Sequence, residues 1–147
     1  MSTFDFDALL PDAVLNEESV IAAVKKGFDC DVRVNERFDS TVYMEVYKEE
    51  KFKFGVYLVN SHEGKIWDSD ILRDEYHYRQ YMSIALPKEQ SDMDTVYSII
   101  KFYLDLAKKD DLKMLVKSIT YNDICYINKD EIRWNKNFYE AYSEYFN

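Results

Sequence analysis

Three glycines and two prolines in 147 residues are the first shortage of this chain, and they exclude several classes at once. Collagen-like, linker-like and low-complexity chains are rich in one or both, so none of them applies. Gly27, Gly55 and Gly64 stand isolated. A phosphate-cradling loop or a dinucleotide fingerprint needs clustered glycines, and neither can be built. Cysteine is almost missing too. Cys30 and Cys125 lie far apart without metal-ligand spacing and make no disulfide framework, so a reducing, cytoplasmic setting is expected. The two histidines, His62 and His77, do not form a His-Glu-x-x-His pair, and no metal or cofactor is expected. Charged residues break every apolar run well short of the roughly 18 residues of a membrane span. Asp5 and Asp7 sit where a secretory signal would be basic, so neither a leader nor a membrane partner is expected.

Basic residues are also in short supply, with 19 Lys plus Arg against 28 Asp plus Glu and a formal charge of -9. The deficit is uneven: residues 1–30 carry -4, 31–60 carry -1, 61–100 carry -4, and 101–147 are neutral. No basic cluster is longer than Lys25-Lys26 or Lys108-Lys109. Proteins hold phosphate backbones through clustered Lys and Arg, so nucleic-acid binding is disfavoured. A basic protein partner is favoured, because opposite potentials steer encounter.

What the chain does have is aromatic residues, 13 Tyr and 9 Phe among them, at 16% overall. Disordered chains are poor in these, so one folded domain over residues 1–147 is expected. Asn16, followed by Glu17 and Glu18 and ending near Lys25, Lys26 and Gly27, predicts a capped helix with Val20, Ile21 and Val24 on its apolar stripe. The period then changes to two. Cys30, Val32 and Val34, then Val42, Met44 and Val46, then Phe52, Phe54, Val56 and Leu58 predict three strands. Their short connections predict an antiparallel meander over about residues 30–60. Tyr43, Tyr47 and Tyr57 fall on the opposite face, which is either beneath a helix or open to a partner.

Residues 60–64 read as a turn, and 76–86 as a strand with Tyr78, Met82, Ile84 and Leu86 on one side, ended by Pro87. A capping-box-like Ser91-Asp92-Met93-Asp94 opens a long helix carrying Val96, Ile100, Tyr103 and Ala107. Residues 112–120 fit a short helix, 124–134 a hairpin, and Phe138, Tyr142, Tyr145 and Phe146 a final helix. With strands first and helices later, the expected class is α+β, an antiparallel sheet with helices packed on one face.

The segment 67–78 is the candidate docking site. It interleaves acids with aromatics: Trp67, Asp68, Asp70, Asp74, Glu75, Tyr76 and Tyr78. Interface hot spots favour Trp and Tyr, and the acids complement a basic partner. An EF-hand is excluded, because the sixth and twelfth positions counted from Asp68 are Arg73 and Arg79. A looser divalent-ion site at Asp68, Asp70 and Asp74 is the alternative use of those acids. Cys125, between Ile124 and Tyr126, reads as a buried and inert thiol.

No family motif is present. In profile, small, acidic, tyrosine-rich and without catalytic equipment, the chain is similar in kind to bacterial immunity proteins and phage-encoded inhibitors that cap a basic nuclease or toxin. The expectation is a non-enzymatic acidic binding protein that neutralises such a partner. The rival readings are a small enzyme or ligand-binding domain using His77 in a pocket between sheet and helices, and a structural homo-oligomer, including a homodimer through the tyrosine face.

Overall fold

A computed structural model of the chain describes residues 2–146. The elements run β1 (Thr3–Leu10), α1 (Glu17–Phe28), β2 (Asp31–Phe38), β3 (Thr41–Lys48), β4 (Lys51–Ser69), β5 (Asp74–Pro87), α2 (Met93–Asp110), β6 (Met114–Ser118), β7 (Asn122–Asn128), β8 (Glu131–Trp134) and α3 (Lys136–Ala141). Short 3₁₀ turns follow β5 and α3. All strands join one antiparallel sheet in the order β2-β3-β4-β5-β1-β6-β7-β8. The α+β class and the meander of residues 30–60 are as expected. Strands and helices are interleaved along the chain, however, not segregated into an early and a late half. Among the described residues no helix is long and apolar enough to cross a membrane.

The helices share one face. Val20 and Val24 of α1, Ile99, Ile100 and Tyr103 of α2, and Phe138 of α3 pack with Met44, Val56, Met82, Ile84 and Val116 of the sheet in one apolar core. Tyr103 is fully buried, and its hydroxyl donates to the carbonyl of Phe6 at 2.6 Å, with that of Met82 at 3.2 Å. That bond answers the polar handle of a large buried ring and ties α2 to the two central strands.

The caps show why the helices start and stop where they do. Asn16 accepts from the Ser19 backbone N–H at 2.8 Å and Ser19 Oγ accepts from the Asn16 N–H at 3.0 Å, a reciprocal pair. The helix passes through Gly27, the expected terminator, and ends at Phe28, with Asp29 taking the left-handed conformation at φ 50°. Gly27 has a packing reason instead: a Cβ there would stand 2.8 Å from the Phe102 ring of α2. Asp92, not Ser91, caps α2, accepting from Thr95 N–H at 2.8 Å.

Three further expectations are corrected. Residues 112–120 contain strand β6, not a helix. β6 lies between β1 and β7 with Met114 and Val116 under the helices and Leu115 buried on the other face. A strand covered on both sides reads as a continuous apolar run and loses period two. Residues 60–64 do not end a strand: β4 runs through them, and residues 61–64 form a bulge where pairing with β5 jumps from Asn60↔Gln80 to Lys65↔Tyr78. The same irregularity moves Tyr78 off the core face: Met82, Ile84 and Leu86 lie under the helices, whereas Tyr78 lies with Tyr81 on the opposite side. Strand β1, whose Phe4, Phe6 and Ala8 alternate with Asp5 and Asp7, went unread in the sequence and is central to the sheet.

Candidate functional site

The sheet face away from the helices holds a groove of about 840 Å³. Its architecture follows from strand register. One cross-strand row runs Tyr43, Tyr57, Ser83, Asp7 and Lys117 across β3, β4, β5, β1 and β6. The adjacent row runs Arg33, Glu45, Gly55, Ala85 and Asp5 from β2 to β1. Small residues in the middle of both rows leave a floor, and larger ones on β3 and β1 raise its walls. The Tyr43 ring leans onto this floor, so that a Cβ on Gly55 would stand 2.8 Å from its Cε1.

One wall is built around Glu45. Its two oxygens accept from the Tyr43 hydroxyl at 3.3 Å and the Tyr47 hydroxyl at 3.2 Å, both longer than the roughly 2.5–3.0 Å of a good O–H···O bond. Tyr43 packs on Tyr57 with ring centroids 4.6 Å apart, and the Arg33 guanidinium lies 4.1 Å above the Tyr47 ring. Burial and then the Glu45 charge push the Tyr43 phenol up to about 12, and Tyr78 and Tyr81 are raised chiefly by burial. These phenols are therefore neutral near pH 7 and keep their hydrogens to donate.

The other wall carries Asp5 and Asp7. Asp7 Oδ2 meets Lys117 Nζ at 3.3 Å, and Lys117 lies 4.4 Å above the Trp67 ring. Among the described residues, buried Asp7 Oδ1 has no hydrogen-bond partner. Three acids and one lysine line the groove, so a concave surface of aromatic faces carries excess negative charge. The helical side differs. A groove of about 560 Å³ between α1 and α2 is lined by Lys26, Lys101 and Lys109 with Asp105.

Beyond the bulge, the outer half of the β4–β5 hairpin packs back over β1, β6 and β7, where Leu9, Leu115, Tyr76 and Tyr126 form a second apolar cluster. Asp123 of β7, fully buried, holds it there: its carboxylate accepts from Trp67 Nε1 at 2.7 Å, Ser69 Oγ at 2.6 Å and the Ile71 N–H at 3.0 Å.

The candidate residues of segment 67–78 thus occupy three settings. Trp67 is half-buried on Asp123, and Tyr76 is buried with its hydroxyl donating to the Leu9 carbonyl at 3.1 Å. Asp68, Asp70, Asp74 and Glu75 are exposed around the hairpin tip. Tyr78 lines the groove. The carboxylates of Asp68, Asp70 and Asp74 do not gather, and among the described residues no three His, Cys, Asp or Glu side chains form a group able to hold a metal ion. His77 is exposed outside the groove, with Nε2 3.8 Å from Glu75. Cys125 is buried, and desolvation raises its thiol far above the ordinary range. The alternation of β3 and β4 places Tyr43, Glu45, Tyr47 and Tyr57 on one face, but nothing local in the sequence brings Asp5, Asp7, Tyr81 and Lys117 to them. The signal for Asp5 and Asp7 was the alternation of β1, whose acids point away from its phenylalanines.

Compared with known proteins, the chain matches no family model, no curated protein and no solved structure.

Proposed function

We propose that this chain is a non-enzymatic binding protein that neutralises a basic protein, in the manner of an immunity protein or an inhibitor of a toxin or nuclease. The observation that carries the reading is the sheet face left open by the helices, a groove with tyrosine walls and three carboxylates against one lysine. Tyrosine supplies large contact area at small entropic cost, and fixed negative charge steers a basic protein to it. The exposed acids Asp68, Asp70, Asp74 and Glu75 at the hairpin tip add to the negative charge that a basic protein meets. His77, the base an enzymatic reading would use, lies outside the groove.

The test begins with proteins captured from a native lysate at low salt and identified by mass spectrometry. The reading expects a discrete protein of high isoelectric point that loses its own activity in a purified complex with this chain and dissociates as ionic strength rises. A complex indifferent to salt, an acidic partner, or self-association through the tyrosine face would contradict it.

A further inference from the structure

We propose that the groove receives an arginine side chain of the basic partner, stacked on the tyrosine faces and hydrogen-bonded to the carboxylate of Glu45. This inference rests on the basic-partner reading and specifies the chemistry recognised.

Three observations converge on a guanidinium. The walls offer π-faces, with Tyr43 against Tyr57 and Tyr81 beyond, and a planar cation stacks on such faces. Among the described residues Glu45 is held by two long hydroxyl contacts, so both of its oxygens have capacity for a stronger, charged donor. The third observation is a precedent within the molecule: at the groove's rim Arg33 already stacks on Tyr47, whose hydroxyl donates to Glu45.

Size and charge exclude the obvious competitors. An anion would meet Asp5, Asp7 and Glu45 with Lys117 already engaged by Asp7 and Trp67. A lysine ammonium is a compact, strongly hydrated point charge with no planar face to stack. A guanidinium presents five N–H donors in a fixed plane, so it stacks and hydrogen-bonds together. The walls on β3 and β1 are three strand spacings apart, about 14 Å, wide enough for an extended segment to lie over the Gly55–Ala85 floor while one side chain turns inward.

The experiment compares hexa-arginine and hexalysine amides, equal in charge, titrated calorimetrically against the full chain at physiological ionic strength. The arginine peptide should bind about tenfold more tightly, the gain expected of stacking plus charged hydrogen bonds. Glu45→Gln and Tyr57→Leu should each remove most of that preference. Tyr57 is partly exposed, so its replacement leaves the core intact, and thermal melting confirms that both variants are folded. The triple change Asp68→Asn, Asp70→Asn, Asp74→Asn at the hairpin tip should weaken both peptides alike and keep the preference. Equal affinity for the two peptides, a preference that survives Glu45→Gln and Tyr57→Leu, or no binding of either peptide would overturn the groove assignment. If both peptides bind and only the tip changes weaken them, the basic-partner reading stands and the arginine pocket falls.

Discussion

The indole Nε1 of Trp67 donates to Oδ1 of Asp123 at 2.7 Å, and this bond joins the far end of the β4–β5 hairpin to a strand four positions away in the sheet. With Ser69 and Ile71 donating to the other oxygen, both acceptor oxygens of the buried carboxylate are satisfied, and losing it strands three donors at once. Asp123→Ala should therefore cost about 3 kcal/mol of stability, as breaking a buried charged hydrogen-bond network does. Chemical denaturation gives the total, and hydrogen exchange should show the loss concentrated in residues 65–78. A uniform loss across the sheet would mean that Asp123 supports the whole fold and not this docking contact.

Gly55 under Tyr43 supplies a second prediction. A methyl group at position 55 would drive the Tyr43 ring off the floor, since the nearest ring carbon would stand at 2.8 Å. Tyr43 is only half-buried and can move outward, so Gly55→Ala should destabilise by about 1 kcal/mol, at the low end for overpacking. It should also weaken partner binding, because Tyr43 no longer shapes the groove beside Glu45. Retained affinity with a displaced Tyr43, seen in the aromatic NMR signals, would remove this tyrosine from the binding surface.

The tyrosines also fix the response to alkali. Tyr43 is raised to about 12, and Tyr76 and Tyr103 higher still, by burial before any other cause. A phenol whose folded value lies above its unfolded value of about 10 holds its proton longer in the native state. Its stabilising contribution is complete below that pH and is lost as pH rises through the folded value. Stability should therefore be insensitive to these groups up to about pH 9 and fall progressively above about pH 10. Ultraviolet titration should show a fraction of the tyrosines ionising only on unfolding. Ionisation of every tyrosine near pH 10 with the fold intact would contradict the burial of Tyr76 and Tyr103.

How much of this was legible in the sequence depended on whether one face of each element is wet. The meander β2–β4 and helix α2 announce themselves because Met44, Val46 and Val56, or Ile100 and Tyr103, recur at the period of their element against polar neighbours. β6 does not, since Leu115 is as buried as Met114 and Val116. The bulge at residues 61–64 reads as a turn because its composition is that of a turn, and only cross-strand pairing shows that β4 continues. The same limit hid the groove. Glu45, Gly55, Ala85 and Asp5 come from four strands, and their alignment in one row is a fact of register that no local window contains. The acid–aromatic segment 67–78 was visible, but whether its aromatics face outward was not. Asp123, more than 40 positions later, claims Trp67.

If the basic-partner proposal is right, the open face is the one that meets the partner. The most direct measurement is the association rate of the purified partner with two charge-reversed forms, Glu45→Lys with Asp5→Lys on the open face and Lys26→Glu with Lys101→Glu in the helical groove. The account predicts that the first pair slows association at least about tenfold at low salt and that the second leaves it unchanged or faster. Slowing by the helical pair alone, with the open-face pair neutral, would place the partner on the other side of the sheet and contradict the account.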